Sequence, residues 1–328
     1  TQGVSSAASD VYKRQDVKPG TPAAEYYNLK SDYMIEVDLT PNRVDAASHY
    51  GVARDLSAWL NCHATPSPAR KPSVEAFHSD RHDGAIEVTV DDHEACPRYS
   101  GLTIRNIKVA ESPEWLKNYL SAIGQRPINN IVDITNFILL GMGQPLHCFD
   151  IDKIGGGKVV VRHCPEGTPF TTLDGVDRKL DSRDLMICDA DKPMCIAGVF
   201  GGLDSGVTEN TTSIFLESAY FNPTSVRKTA RRHGLNTDAS FRYERGTDPN
   251  ATMYCLKLAA LLVKELAGGE ICGEPVDIYP SEIKPFPVNL QYSYLNSIVG
   301  KEIPQEKVDS IVKSLEMEIV GRNDDSID

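Results

Sequence analysis

The sequence predicts a mixed α/β fold of the α+β class, with a central domain of mixed sheet plus helices. Short β-prone segments bounded by turn residues and segments with helical periodicity share the middle of the chain. Proline-rich breaks set off both ends, which are expected to form small, incomplete helical or winged-helix-like domains. Of the 328 residues, 41% are apolar and 24% are charged, which is typical of a packed globular core.

The breaks divide the chain into four parts. Residues 9–15 read SDVYKRQ, which resembles the translated transposase end sequence used in preparing DNA libraries. Residues 1–15 are therefore expected to be an adaptor-like, disordered artefact and are excluded from the fold prediction. Residues 16–76 are expected to form a partial N-terminal structural domain and a linker. Residues 77–284 should form the central domain, and residues 285–328 the truncated start of a small helical domain with too few apolar positions for a closed core.

Capping residues and apolar spacing predict the helices. Ser48 can cap a helix that runs to about Cys62. Its apolar face would consist of Val52, Leu56, Trp59 and Leu60. Further helices, each with a polar residue before proline at its start and glycine at its end, are expected from Ser112 to Gly124, from Asn222 to Gly234 and from Asp248 to Gly268. A final helical face carries Val308, Ile311, Val312 and Leu315.

Strands are predicted from short runs of β-branched and apolar residues between turn residues. Residues 25–39 read as extended and partly alternating. The strands expected in the central domain are residues 85–90, 158–162, 185–188, 195–199 and 214–218.

Charge and cysteine usage limit the function classes. The formal net charge of −12 argues weakly against a nucleic-acid binder. The eight cysteines form no C-x-x-C pair, so buried thiols in a reducing cytoplasm are expected, and no metal site. No apolar run approaches the roughly 20 residues of a spanning helix, and no secretory signal begins the chain, so no membrane contact is expected.

One short segment is basic despite the acidic total. Between Arg227 and Arg245 there are six basic residues against two acidic ones. Such a cluster can contact RNA phosphates, but it can also be a solvated helix face paired with acidic residues. The six basic residues are Arg227, Lys228, Arg231, Arg232, Arg242 and Arg245.

Four motifs carry the most specific information. Residues 126–150 read RPINNIVDITNFILLGMGQPLHCFD, an apolar stretch that contains an arginine, a Thr-Asn pair and a histidine. Residues 200–202 read FGG, residues 216–219 read LESA, and residues 231–246 read RRHGLNTDASFRYERG. Together these motifs resemble the editing module of phenylalanine–tRNA ligase beta subunits. The resemblance extends over nearly all of residues 16–328.

The resemblance implies an activity and partners. The central domain would be the editing domain, which hydrolyses tyrosyl-tRNA(Phe) and binds the tRNA acceptor end. The parent complex would be an α2β2 heterotetramer that charges tRNA(Phe) with phenylalanine. Its ATP and magnesium would be used with the alpha subunit, at a ligase site outside this chain, and no cofactor is expected in this region.

Carried over residue by residue, the resemblance also implies a pocket. The implied catalytic residues are Thr135, Asn136 and His147. The implied substrate-binding residues are Arg126, Gly201, Glu217, Thr237 and Ala239. Arg126 would meet either a phosphate of the acceptor end or a protein carboxylate.

Physical chemistry agrees with the roles of two of these residues. A site that hydrogen-bonds a substrate hydroxyl can reject the analogue lacking it by roughly 10⁴–10⁵, and Glu217 is a suitable acceptor for the tyrosine hydroxyl. His147, expected in a turn, could position water, act as a general base or hold a ribose hydroxyl. Positioning is favoured, because the sequence shows no carboxylate in an obvious dyad with it. Thr135 and Asn136 could donate hydrogen bonds to the water or to the ester carbonyl.

Two rival interpretations remain at this stage. The region could bind the acceptor end of tRNA without hydrolysing anything, or it could be a structural scaffold for the alpha subunit.

Overall fold

The structure is a computed structural model that describes residues 18–26 and 33–328. The expected adaptor-like segment, residues 1–15, lies outside the described residues. The helices are α1 (Ala23–Tyr26), α2 (His49–His63), α3 (Glu114–Ala122), α4 (Asn130–Met142), α5 (Pro223–His233), α6 (Asp238–Tyr243), α7 (Ala251–Ala267), α8 (Tyr292–Val299) and α9 (Gln305–Ser314). The strands of the first half are β1 (Glu87–Val90), β2 (Arg98–Arg105), β3 (Leu146–Asp150), β4 (Lys158–His163), β5 (Pro169–Thr171) and β6 (Asp177–Lys179). The later strands are β7 (Leu185–Cys188), β8 (Pro193–Ile196), β9 (Phe200–Gly201), β10 (Ser213–Tyr220), β11 (Glu270–Ile278), β12 (Leu290–Gln291) and β13 (Ser326–Ile327).

Two main sheets confirm the predicted α+β class. One is antiparallel with the strand order β11-β2-β10-β3. The other has the order β1-β4-β7-β8-β9 and is mixed, because β1 pairs with β4 in parallel. The pairs β5-β6 and β12-β13 form two small additional sheets.

The antiparallel sheet is the middle layer of the central domain, because its two faces join different cores. Phe215 and Ala219 of β10 pack with residues of the mixed sheet. Ile214 and Leu216 pack with the helical layer that includes α4 and α7. Successive strand residues point to opposite faces, so Glu217 lies on the side that faces the mixed sheet.

Helix boundaries agree well with the capping signals. The Asn222 side chain accepts hydrogen bonds from two backbone amides at the start of α5, and Gly234 ends that helix with a φ of 64°. Ser48 caps α2 as predicted. At α3, however, Pro113 is the capping residue, because the Ser112 hydroxyl donates to Asp133 at 2.5 Å instead.

Other predictions were incomplete or wrong. The sequence patterns did not predict β2, β3, β11 or α4, and the strand expected at residues 195–199 is β8, Pro193–Ile196. His147 lies within β3 rather than in a turn. The expected apolar face of α2 is largely exposed, since Val52, Leu56 and Trp59 keep 38%, 54% and 55% of their surface. The residues that α2 buries are Gly51, Ser57 and Ala58.

The two flanking parts contact each other, although the sequence suggested two separate incomplete units. Asn61 of α2 donates to the Ser314 hydroxyl at 2.9 Å, and the Tyr50 hydroxyl donates to Glu316. The C-terminal part also has a small core, contrary to expectation. Its buried members are Tyr292, Val308 and Ile327, against which Leu290, Leu295, Ile303, Val312 and Ile319 pack.

Within the described ranges, no helix is long and apolar enough to cross a membrane.

A buried carboxylate connects α5 to the loop before β7. Asp184 is fully buried and receives hydrogen bonds from the Thr229 hydroxyl at 3.0 Å and from His233 Nε2 at 2.7 Å. Asp184 also forms an ion pair with the Arg232 guanidinium and accepts a hydrogen bond from the backbone amide of Asp181 at 2.9 Å. These contacts hold the α5 helix against the mixed sheet.

We expect Asp184→Ala to lower the free energy of unfolding by about 3 kcal/mol, because it removes one carboxylate partner of the partly buried Arg232 guanidinium and the acceptor of the Thr229 and His233 side chains. Urea denaturation followed by circular dichroism measures this change. Asp83→Ala is the control, since Asp83 pairs with Arg81 at an exposed site and should matter little. A loss below about 1 kcal/mol for Asp184→Ala would contradict this account of the α5 contact.

Candidate functional site

One cavity, about 230 Å³ in volume, gathers most of the predicted pocket residues. It lies beside β3, β9 and β10, with parts of α4 and α6 at its wall. Seven of the eight predicted residues line it, namely Thr135, Asn136, His147, Gly201, Glu217, Thr237 and Ala239. Arg126 is the one that does not.

Glu217 is the buried polar group of this cavity. It is 4% exposed, and its Oε2 accepts a hydrogen bond from the Tyr99 hydroxyl at 2.7 Å. Burial raises the pKa of Glu217 to about 8, although the bond from Tyr99 acts in the opposite direction. Oε1 accepts no hydrogen bond from the described residues. The carboxyl group therefore has an unused oxygen that a ligand in the cavity could reach.

His147 lies directly across from Glu217 in the β3–β10 register. Its ring packs edge-on against Phe149, with 4.5 Å between ring centroids. Its Nε2 is buried and has no hydrogen-bond partner among the described residues, and no hydrogen bond joins it to Glu217. Burial lowers the pKa of His147 to about 4, so the imidazole is neutral near pH 7. A neutral imidazole with a free nitrogen can bind water.

Gly201 is required by the close approach of the histidine. A Cβ atom at this position would lie 3.0 Å from His147 Cε1 and 2.9 Å from Leu173 Cδ1. The sequence reading assigned this glycine to close approach of a substrate. The structure shows instead that the first atoms it makes room for are those of the pocket wall.

Thr135 and Asn136 project from α4, but their hydrogen-bonding capacities differ. The Thr135 hydroxyl donates to the Val132 carbonyl at 2.7 Å, so its proton is already in use. The Asn136 carboxamide makes no hydrogen bond to other described residues, and Asn136 lines the cavity. Asn136 is therefore the better donor of the two for a bound ligand.

Thr237 and Ala239 form the wall at the start of α6. The Thr237 side chain caps this helix and donates to the Val199 carbonyl at 2.9 Å, while Ser240 completes a capping box. Thr237 thus fixes the helix end that places Ala239 at the cavity. The small side chain of Ala239 leaves the space open.

Arg126 is exposed and lies in the loop before α4. The neighbouring Gln125 donates to the Asp238 carboxylate at 3.3 Å, and Asp238 lines the cavity. The loop therefore reaches the cavity rim, although Arg126 itself does not line it. Within the described part of the chain, Arg126 forms no ion pair.

Sequence reasoning missed further residues of the site, of which Tyr99, Leu173 and Tyr243 make the most informative contacts. Tyr99 lies in β2, which the sequence patterns did not predict, so no signal pointed to it. Leu173 lies between β5 and β6, and its amide donates to the Gly201 carbonyl at 3.0 Å. Tyr243 lines the cavity and donates to the Ala219 carbonyl at 3.1 Å. Its place in the motif of residues 231–246 was the available signal.

The basic cluster divides into two groups. Arg232 is held by Asp184 and Asp181, Arg245 donates to Glu244 at 2.7 Å, and Arg242 is 7% exposed. The Arg242 guanidinium donates to the carbonyls of Asp238 and Ala47 at 2.9 and 3.2 Å. These three arginines are engaged within the protein and are not retained as RNA contacts. The exposed members without an ion pair in the described ranges are Arg227, Lys228 and Arg231.

Comparison with known proteins identifies relatives. Residues 95–268, more than half of the chain, match the B3/4 domain family. The phenylalanine–tRNA ligase beta subunit of Bacteroides fragilis (strain YCH46) is 62% identical over 306 residues, covering 93% of this chain and 37% of that protein. The corresponding subunit of Porphyromonas gingivalis is 58% identical over 310 residues, covering 94% and 38%.

An N-terminal fragment of the phenylalanyl-tRNA synthetase beta subunit from Pyrococcus horikoshii is a distant structural likeness. Its TM-score is 0.40 at 14% identity, over 88% of this chain and 77% of that one. This chain spans little more than a third of the length of the curated relatives it matches. Those relatives confirm the resemblance to phenylalanine–tRNA ligase beta subunits that the motifs indicated, and the chain belongs to the B3/4 domain family.

Proposed function

We propose that the cavity hydrolyses tyrosine from mischarged tyrosyl-tRNA(Phe) and that the surrounding surface binds the tRNA acceptor end. The observation that carries this proposal is the meeting of Glu217, His147 and Asn136 in one cavity. Its volume of about 230 Å³ is below the roughly 300–1,000 Å³ typical of drug-sized ligands. A cavity of that size suits one amino-acid side chain and leaves the nucleotide at the mouth.

The Glu217 carboxyl would select tyrosine by binding its hydroxyl. A buried carboxyl with an unused oxygen is costly unless a ligand satisfies it. Phenylalanine offers no hydroxyl to this oxygen, so its ester would be held less well. The Glu217 carboxyl thus provides the discrimination that an apolar wall cannot.

His147 would place the attacking water. Its neutral Nε2 is free to accept a hydrogen bond from water, and its lowered pKa makes it a poor proton acceptor near pH 7. Asn136 would donate to the ester oxygen on which negative charge develops. The water oxygen would bond to the carbonyl carbon, and the bond from that carbon to the ribose oxygen would break. Solvent would supply a proton to the leaving ribose oxygen and take one from the new carboxyl group, so the site would contribute orientation and polarisation.

The parent assembly is also a proposal. The relatives are named phenylalanine–tRNA ligase beta subunits, so we infer a cytoplasmic α2β2 heterotetramer with the alpha subunit. That complex would charge tRNA(Phe) with phenylalanine by using ATP and magnesium at a site outside this chain.

Single-turnover deacylation tests the editing proposal. Excess protein is mixed with labelled tyrosyl-tRNA(Phe) or phenylalanyl-tRNA(Phe), and ester loss is followed over time. We expect His147→Ala to slow hydrolysis of the tyrosyl ester by about 10²-fold, because the water loses its orienting group. Glu217→Ala should reduce the preference for tyrosine by about tenfold or more, because the tyrosine hydroxyl loses its hydrogen-bond partner in the cavity.

His78→Ala is the matched control, since His78 is exposed and remote from the cavity residues. Equal rates for wild type and His147→Ala would exclude the proposed site. Salt-sensitive RNA binding without hydrolysis would favour a non-catalytic tRNA-binding module. If the chain neither hydrolyses the ester nor binds RNA, the remaining interpretation is a structural scaffold for the alpha subunit.

Ala239→Trp should prevent tyrosine from entering, because a large ring at the start of α6 fills the cavity wall. We expect deacylation of tyrosyl-tRNA(Phe) to fall by at least about 10²-fold while the thermal unfolding midpoint stays near that of wild type. Ala239→Ser keeps the space and should retain activity. Full activity in the tryptophan variant would show that tyrosine binds elsewhere.

Lys228→Ala should weaken tRNA binding and reduce the slope of log affinity against log salt by about one, because one phosphate contact is lost. Filter binding at several salt concentrations measures this slope. Lys301→Ala serves as the control, since Lys301 is exposed in the C-terminal part. An unchanged slope in Lys228→Ala would show that Lys228 on α5 is solvated and does not contact an RNA phosphate.

A further inference from the structure

We propose that Tyr99 is a positioning residue for the hydroxyl-reading site and that its phenol orients the Glu217 carboxyl toward the tyrosine ligand. Its role rests on the proposed function, because an oriented carboxyl matters only if the cavity binds a phenol. Tyr99 lies outside every motif that pointed to the pocket. It does not line the cavity and would act entirely through Glu217.

The geometry places Tyr99 behind the carboxyl group. Tyr99 is fully buried in β2 and belongs to the core between the two sheets. It pairs in register with Ala219, two residues beyond Glu217 along β10. Diagonal neighbours of this kind are within reach of aromatic side chains. The Tyr99 hydroxyl therefore meets Glu217 Oε2 at 2.7 Å from the core side.

The hydrogen bond from Tyr99 occupies one carboxyl oxygen of Glu217 and leaves the other oxygen for a ligand. The terminal torsion of a glutamate side chain is broad, so nothing intrinsic fixes which oxygen faces a cavity. Tyr99 engages Oε2, and Oε1 has no partner among the described residues. A tyrosine hydroxyl then finds one oriented acceptor rather than a freely rotating group.

The same bond favours the ionised form of the carboxyl. Burial raises the pKa of Glu217 to about 8, and the donor from Tyr99 opposes this rise. An ionised acceptor forms a stronger hydrogen bond with the ligand phenol than a neutral one does. Without the Tyr99 hydroxyl, the carboxyl would ionise only at higher pH, and tyrosine would bind less well near neutrality.

Calorimetric titration of this chain with L-tyrosine and L-phenylalanine, from about pH 6 to about pH 9, tests the inference. Both ligands carry the same amino and carboxyl groups, so the ratio of their dissociation constants isolates the hydroxyl. In wild type the preference for tyrosine should grow as the pH rises and Glu217 ionises. In Tyr99→Phe the increase of the tyrosine preference should occur at higher pH. The affinity for tyrosine should be about tenfold weaker near neutral pH and should recover in alkaline buffer.

Three further variants keep the test decisive. Glu217→Gln can still accept the Tyr99 bond but cannot ionise, so its preference should not change with pH. Tyr254→Phe is the matched control, because it removes a tyrosine hydroxyl bonded to the Pro72 carbonyl at 2.9 Å, away from the cavity. If Tyr99→Phe does not fold, 3-fluorotyrosine is incorporated at position 99 instead. Its more acidic phenol is a stronger hydrogen-bond donor, so the tyrosine preference should increase at lower pH than in wild type.

The outcomes separate the two claims. A tyrosine preference in wild type with an unshifted pH profile in Tyr99→Phe would overturn the positioning role alone. A wild-type chain without any preference for tyrosine would overturn the proposed function, and the role of Tyr99 with it.

Discussion

The candidate site depends on one constraint, which is that the Glu217 carboxyl is kept from water on the inner face of an antiparallel sheet. Burial disfavours its charged form, as the raised pKa shows, and only hydrogen bonds can offset that cost. Tyr99 supplies one such bond from the core. Glu217 lines a cavity, and its other oxygen has no hydrogen-bond partner among the described residues, so a ligand hydroxyl in the cavity could bind there.

Strand alternation keeps the chemistry apart from the packing. Along β3 and β10, His147 and Glu217 face the mixed sheet and the cavity, while Cys148 and Leu216 face the helical layer. The side-chain period of two means that a slip of one residue in either strand would exchange these sets. The large apolar contacts on both faces therefore fix the register, and the register in turn fixes the opposition of the histidine and the carboxyl group.

Ion pairing decides what the basic segment can do. Six basic residues are close in sequence, yet three arginines are satisfied by carboxylates or backbone carbonyls of this chain. A partly buried guanidinium that has lost water gains most from a fixed partner, whereas an exposed lysine keeps its hydration and stays available. The surface that remains for an anionic partner is one exposed side of α5. This explains how a chain with a net charge of −12 could still offer a local contact for phosphates.

The sequence by itself determined the fold class, the approximate ends of α2, α3, α5 and α7, and seven of the cavity residues, because caps are local and the motifs carried the resemblance. The β-prone patterns missed β2 and β3, and apolar spacing misjudged the exposed face of α2, since burial depends on what packs against an element. Only the tertiary structure showed that Arg232 and Arg242 are engaged and that the two flanking parts contact each other. It also revealed Tyr99, because the hydrogen bond to Glu217 joins strands 118 residues apart, and no local pattern encodes a contact across that distance.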